Sequence, residues 1–169
     1  TINGAALATP VFLSLYAEND LRLDKYFAET DEKGFRKNKK AGSNNYLCTF
    51  RVGEIYLTAA EAAARLGELS QARTRLLELM RKRYAPEAYE AKSVVVNAMD
   101  KEALVQEILD ERAREVAFEG HRWFDLRRST RPRLEKVLDG TRYVLEENDA
   151  RYTLAIPKEA IEANPGLLN

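Results

Sequence analysis

The stretch RVGEIYLTAAEAAARLGELSQARTRLLELMRKRY, from Arg51 to Tyr84, decides the fold predicted for this 169-residue chain. Its first half places apolar and small residues at helical spacing as far as Gly67, a residue type that commonly ends helices. Its second half repeats the pattern, with Ala72, Leu76 and Met80 on one face. Two amphipathic helices that meet at a glycine predict an antiparallel helix hairpin.

The length of this stretch, 34 residues, is that of a tetratricopeptide unit. Its small residues Ala60, Ala63 and Ala72 fall where two helix backbones must approach closely. A single hairpin cannot cover its own apolar face, so stacked hairpins are expected. An accidental amphipathic hairpin of this length would show the same spacing, and that alternative stays open.

Further helices are expected after a loop over residues 85–99. Asp100 is placed to cap a long helix that runs to about Glu119, and His121 to Ser129 is typical of the second arm of another hairpin. Leu134 to Leu138 predicts one more helical turn. The helix hairpins therefore occupy residues 51–138.

The two ends of the chain are less regular. Residues 1–50 are mixed and form an irregular N-terminal segment. Residues 139–169 predict a closing hairpin and tail, with strands at 143–145 and 152–156. The predicted fold class is all-α, made of tetratricopeptide-like stacked helix hairpins with a small C-terminal β-hairpin, in a single domain spanning 1–169.

Composition excludes several classes of protein. The 27 basic and 27 acidic residues give no net charge, which disfavours a nucleic-acid partner. Cys48 is the only cysteine, so neither an internal disulfide framework nor a thiolate metal cage is expected. No apolar run is long enough to cross a membrane. We expect no cofactor and no metal.

A row of carboxylates is the most conspicuous chemical feature. Its members recur at every fourth position and share one helix face: Glu107, Glu111, Glu115 and Glu119. Arg112, Arg114 and Arg122 lie close enough in sequence to neutralise them, which predicts an ion-pair network between stacked helices. The weaker alternative is a glycoside hydrolase that uses two of these acids.

The segment EGHRWFDLRR, Glu119 to Arg128, holds the only His and the only Trp of the chain. One His is too few for a helical metal site, and no nucleophile motif accompanies it. Trp123 and the charge pairs, such as Asp125 with Arg128, predict a structural role in joining neighbouring elements. Removal of a buried Trp123 side chain is expected to cost about 3–5 kcal/mol.

Three runs of the sequence, in this order, carry a resemblance to a known family: RVGEIYLTAAEAAARLGELSQARTRLLELMRKRY, LVQEILDERAREVAFEGHRWFDLRR and YTLAIPKEAIEANPGLLN. The upstream LYAENDLRLDKYF also fits, through its Asp20-x-Arg22. The chain resembles the C-terminal region of the SusD/RagB outer-membrane nutrient-binding lipoproteins of Bacteroidetes.

This resemblance implies a cell-surface binding protein of the outer membrane. Such proteins bind oligosaccharides or polysaccharides, or in some members peptides, and pass them to a SusC-like TonB-dependent transporter. The job requires no catalysis, so no enzyme is expected. The resemblance also implies a lipid anchor outside this chain, because Cys48 lies within a folded region, and the chain itself is expected to be a fragment or a processed piece.

Exposed aromatic side chains are the usual contacts of sugar rings in concave sites. The candidates in predicted loops are Tyr84, Tyr89 and Tyr46. Two other functions stay open. A tetratricopeptide scaffold would bind a peptide in its groove, and a glycoside hydrolase would depend on the helix carboxylates.

Overall fold

The computed structural model describes residues 7–40, 51–138, 140–164 and 166, without the side chain of Leu138. The chain divides into two compact units, the first ending at Gly120 and the second beginning at His121. The elements of the first unit, in chain order, are β1 (Leu7–Ala8), α1 (Pro10–Leu13), α2 (Arg22–Tyr26), β2 (Phe27–Thr30), β3 (Arg36–Asn38), α3 (Val52–Leu66), α4 (Leu69–Met80), α5 (Pro86–Ala98) and α6 (Lys101–Glu115).

The predicted helix hairpin is present as α3 and α4. Gly67 ends α3 with φ +88°, a left-handed conformation that the missing β-carbon allows. Helix α3 packs against both α4 and α6, and α4 packs against α5. The core is formed by buried apolar side chains of these helices: Leu57, Ala60, Ala63, Ala64, Ala72, Leu76, Leu79, Met80, Tyr84, Val96, Leu104 and Ile108.

Helix α6 begins as predicted, because the Asp100 side chain accepts a hydrogen bond from the Ala103 amide at 2.9 Å. The predicted loop over residues 85–99, in contrast, is wrong, since most of it is helix α5. Pro86 stands in the first turn, where its missing N–H costs nothing. Only Val96 of this helix is buried, so the sequence lacks the apolar stripe by which helices are recognised.

The N-terminal segment is more regular than expected. Strand β3 lies between β1 and β2 in a small antiparallel sheet. Beneath it Ala8, Tyr16 and Phe27 form a second core, and the Phe27 and Phe118 rings meet edge to face at 6.1 Å. Hydrophobic packing therefore joins residues near the start of the unit to residues near its end.

The second unit contains α7 (Arg122–Arg128), β4 (Leu134–Leu138), β5 (Thr141–Leu145), a 3-10 helix (Ala150–Tyr152) and α8 (Lys158–Ala163). Residues 134–138 are a strand rather than the predicted helical turn, and they pair with β5 instead of the predicted 152–156. Leu138 pairs with Thr141, which leaves a two-residue connection, and Gly140 has φ +76°. The sequence Asp139-Gly140 is a strong signal for such a hairpin.

The fold class is confirmed, since the protein is mostly helical with small antiparallel sheets. Residues 122–128 form helix α7 within the predicted segment 121–129, and its role as the second arm of a hairpin stays a prediction. The single domain stays a prediction.

Candidate functional site: a pocket beside a buried ion-pair network

A pocket of about 440 Å³ lies where α4 ends and α5 begins. Its lining residues come from the turn and from the first two turns of α5: Arg81, Tyr84, Pro86, Tyr89 and Glu90. The turn is fixed by backbone hydrogen bonds, in which the Leu21 amide donates to the Arg83 carbonyl at 2.9 Å and the Ala85 amide donates to the Asn19 carbonyl at 3.1 Å.

Two of the three predicted glycan contacts, Tyr84 and Tyr89, are brought together at this pocket. Tyr89 is half-buried and packs partly against the core. Its role in ligand binding stays a prediction. Tyr46 lies outside the described residues.

Tyr84 is almost fully buried, with only 2% of its surface exposed. Its hydroxyl donates to Glu111 Oε2 at 3.0 Å and accepts from Arg22 Nη2 at 3.1 Å. The Lys92 ammonium lies 4.8 Å from its ring centroid. Burial raises the pKa of Tyr84, and the charge of Glu111 raises it further. The ring forms a wall of the pocket and connects it to the charged residues behind, and the role of Tyr84 in ligand binding stays a prediction.

The centre of those charges is Arg22, which is 2% exposed. One edge of its guanidinium contacts Asp20, with Nε at 2.9 Å from Oδ1 and Nη2 at 2.7 Å from Oδ2. Its Nη1 lies 2.8 Å from Glu111 Oε1 and 3.2 Å from Glu115 Oε2. A planar guanidinium can meet several carboxylates at once, which the compact ammonium of a lysine cannot do in the same way.

Two further arginines, Arg83 and Arg114, form ion pairs with carboxylates of the row. Arg83 binds Glu115 with two parallel contacts, Nε to Oε2 at 2.7 Å and Nη2 to Oε1 at 2.8 Å. Arg114 binds Glu111 at 2.8 Å and Glu107 at 2.7 Å. Within the described chain, each of these three glutamates therefore has at least one basic partner.

The last glutamate of the row, Glu119, is paired with residues that precede α3. Lys40 Nζ lies 2.5 Å and Arg51 Nη1 2.9 Å from Glu119 Oε1. Arg51 also reaches Glu115, with Nη2 3.5 Å from Oε1. The predicted ion-pair network is present, but its partners come mainly from distant segments. Of the arginines expected to neutralise the row, Arg114 does so, whereas Arg112 contacts Glu54 at 2.8 Å.

The buried glutamates are held in their charged form. Burial by itself would raise the pKa of Glu111, but Arg22 and Arg114 outweigh it and the pKa is lowered. Burial is likewise outweighed at Glu115, chiefly by Arg83 and then by Arg22. A glycoside hydrolase needs one carboxylic acid that can donate a proton. The network therefore holds these two groups in a form unsuited to that role.

Sequence reasoning missed Arg83 as a partner of the row. The Asp20-x-Arg22 pattern was noted but was given no role. Its short spacing lets the Asp20 carboxylate accept two hydrogen bonds from the guanidinium of Arg22. That pattern was the signal that could have identified Arg22 as a buried residue.

From His121 onward, the segment EGHRWFDLRR supplies structural contacts within the second unit. The Trp123 ring stacks on the ring of Tyr152, with centroids 5.2 Å apart and an interplanar angle of 12°. Asp125 is buried and accepts from Arg128 Nη2 at 2.8 Å. The Tyr152 hydroxyl donates to the Pro132 carbonyl. These contacts tie α7 to the 3-10 helix and to the start of β4.

Among residues 7–40, 51–138, 140–164 and 166, no group of three or more His, Cys, Asp or Glu side chains is arranged to hold a metal ion. No helix in those same ranges is long and apolar enough to cross a membrane.

The helix hairpin, its helical neighbours and the small sheets have the architecture of a tetratricopeptide-like helical protein. The chain belongs to the SusD family, whose model matches residues 8–169. The resemblance seen in the sequence is thereby confirmed. A search of curated proteins gave no match.

Among solved structures, the chain is similar to a SusD-like carbohydrate binding protein from Bacteroides vulgatus. The two share 19% sequence identity with a TM-score of 0.60, and the similarity covers 93% of this chain. It covers only 40% of that chain, so the residues described here correspond to less than half of the solved protein.

Proposed function

We propose that this chain is part of a cell-surface protein that binds oligosaccharides or polysaccharides and delivers them, without catalysis, to a SusC-like TonB-dependent transporter. The observation that carries the proposal is the match of residues 8–169 to the SusD family. The solved relative is named as a carbohydrate binding protein, which supports the same ligand class. The protein would be held at the outer membrane by a lipid anchor outside these residues.

The pocket between α4 and α5 is the site on this chain best suited to a sugar. Its volume, about 440 Å³, lies in the usual range of small-molecule pockets. Tyr89 offers an aromatic surface for the C–H face of a sugar ring. Arg81 supplies hydrogen-bond donors and Glu90 supplies acceptors for the sugar hydroxyls.

A non-catalytic role agrees with the electrostatics of the buried row. Glu111 and Glu115 are each paired with arginines, and the pKa of each is lowered. Neither is placed to give up a proton near neutral pH. The acids of the row therefore serve the stability of the scaffold that shapes the pocket.

The test is electrophoresis of the purified chain in gels cast with individual soluble polysaccharides. Retardation by at least one glycan is expected, and Tyr89→Ala should remove it. Tyr143→Ala is the matched control, because Tyr143 is an exposed tyrosine of the β-hairpin and lies outside the pocket. Circular dichroism of both variants checks that the fold is intact.

Each outcome has a distinct meaning. Retardation that survives Tyr89→Ala would move the sugar contacts away from this pocket while the glycan-binding function stands. The proposed function would be contradicted if no glycan retarded this chain and none retarded a longer protein that contains it. That result would favour a peptide-binding member or a tetratricopeptide-type interaction scaffold.

A further inference from the structure

Arg81 differs from the other arginines of the first unit. Each of the others donates a side-chain hydrogen bond to a carboxylate or to a backbone carbonyl, as Arg83 does to Glu115 and Arg73 does to the Met99 carbonyl. Within the part of the chain that the structure describes, the exposed Arg81 has neither a side-chain hydrogen bond nor an ion pair. Arg81 lines the pocket between α4 and α5, the site proposed above for a sugar.

Two acidic residues near Arg81 leave its charge unbalanced. Glu78, one helical turn earlier in α4, is paired with Arg75 at 3.2 Å. Glu90 lines the same pocket from α5, but among the described residues no ion pair joins it to Arg81. The pocket therefore presents one positive and one negative side chain, and both are open to a ligand.

A second cation lies against the pocket wall. The Lys92 ammonium, on α5, is 4.8 Å from the ring centroid of Tyr84, which lines the pocket. Glu107 lies beside Lys92 in a neighbouring pocket, but it is bound to an arginine of α6 at 2.7 Å instead. Charges attract over about 10 Å at 0.1 M ionic strength, so Lys92 acts on the pocket without contacting its ligand. Lys92 therefore adds to the positive charge that Arg81 supplies.

The side chains of the pocket match the groups of a uronic acid. Tyr89 offers an aromatic surface to the C–H face of a sugar ring, and Glu90 offers acceptors to its hydroxyls. A neutral sugar can give Arg81 only another hydroxyl. The carboxylate of a uronic acid can instead accept two parallel hydrogen bonds from the planar guanidinium, and such charged bonds are about twice as strong as neutral ones.

We propose that the pocket between α4 and α5 binds acidic sugars in preference to neutral ones, and that Arg81 binds the carboxylate of a uronic acid residue in the polysaccharide. This inference rests on the function proposed above and names the ligand class within it. Lys92 attracts the same carboxylate from a distance. Glu90 repels the carboxylate and accepts from the hydroxyls, so the two charges of the pocket set the orientation of the sugar ring.

The test is electrophoresis of the purified chain in gels cast with polyuronates of different backbones: polygalacturonate, alginate and hyaluronate. Each is compared with its carboxyl-reduced form, which keeps the backbone and loses the charge. At least one polyuronate should retard the chain at a concentration about tenfold or more below that of its reduced form. Arg81→Gln should remove this preference, so that the two forms retard the variant equally.

Lys82→Gln is the matched control. It removes the same charge from the neighbouring residue, which is exposed and lies outside the pocket lining, and it should keep the preference for the polyuronate. Arg81→Lys should keep part of the preference, because the charge remains while the two parallel hydrogen bonds are lost. Circular dichroism of all three variants checks that the fold is intact.

The outcomes separate this inference from the function on which it rests. If neutral glycans retard the chain as strongly as polyuronates do, or if Arg81→Gln keeps the preference, the inference is overturned and glycan binding stands. If no glycan, acidic or neutral, retards either this chain or a longer protein that contains it, both are overturned. Binding of an acidic peptide that depends on Arg81, without binding of any glycan, would also overturn both and would assign the pocket to peptides.

Discussion

Gly53 of helix α3 lies directly against the carboxylate of Glu115. A β-carbon added at position 53 would stand 2.6 Å from Glu115 Oε1, closer than real atoms approach. The end of a glutamate side chain can usually move aside. The Glu115 carboxylate is held by two contacts from Arg83 and one from Arg22, so it cannot move aside without losing some of them.

Gly53→Ala is therefore expected to destabilise the first unit. Alanine favours a helix over glycine by about 0.5–1 kcal/mol, whereas crowding a closely packed site costs about 1–3 kcal/mol. The crowding should win, because relief requires that Glu115 leave its arginines. Urea unfolding followed by circular dichroism would measure the loss. Equal or greater stability of Gly53→Ala would show that Glu115 is free to move.

Arg22→Met should have the largest effect of any single change to the network. It leaves three buried carboxylates short of their shared partner, and breaking a buried charge pair from one side costs about 3–5 kcal/mol. Arg75→Met is the control, because Arg75 pairs with Glu78 on the surface, where such pairs contribute about 0–1 kcal/mol. Similar urea midpoints for the two variants would contradict the central role of Arg22.

Acid should weaken the first unit through the buried carboxylates. The pKa of Glu111 and the pKa of Glu115 are lowered in the folded state, so the unfolded chain binds protons first as the pH falls. Their stabilising contribution is present above the unfolded pKa, about 4.3, and is lost as the pH falls through the lower folded value. Urea midpoints measured from pH 7 down to pH 3 should decline below about pH 5. The decline should be shallower in Glu115→Gln, and a midpoint that rises in acid would refute the argument.

Trp123 is half-buried rather than fully buried as expected from the sequence. Trp123→Ala should therefore destabilise the second unit by about 1–3 kcal/mol, since the change removes a half-buried aromatic side chain and its stacking on Tyr152. Phe124→Ala tests the neighbouring position, where 62% of the aromatic residue is exposed, and should cost less than about 1 kcal/mol. Thermal melts followed by circular dichroism would compare them. Equal melting temperatures of the two variants would mean that the Trp123 side chain does not stabilise the second unit.

The regular helices were predictable from the sequence because their apolar residues recur with helical periodicity. Helix α5 was not, since it buries a single side chain, Val96. One strand of the β-hairpin was misassigned: residues 143–145 lie in β5 as predicted, but they pair with 134–138 rather than with 152–156, because the Asp-Gly signal in the sequence between β4 and β5 was not used. Both errors come from regions where hydrophobic periodicity is too weak to indicate the structure.

The site was only partly predictable for a different reason. Tyr84 and Tyr89 were selected together, and they do line one pocket. The burial of Tyr84 depends on Arg22 and Glu111, which lie 62 and 27 residues away in sequence. A carboxylate row can be recognised in one helix, whereas the arginines that reach it from distant segments are revealed only by the folded chain.

The distance along the chain between Arg22 and Glu115, 93 residues, also sets an order of events during synthesis. At about 5–20 residues per second, a ribosome needs roughly 5–20 s to make Glu115 after Arg22. Until Glu111 and Glu115 of helix α6 are made, Arg22 has only Asp20 among its eventual charged partners. The first unit therefore cannot close around its charges while the N-terminal segment alone has emerged, and its final collapse must wait until helix α6 has left the exit tunnel.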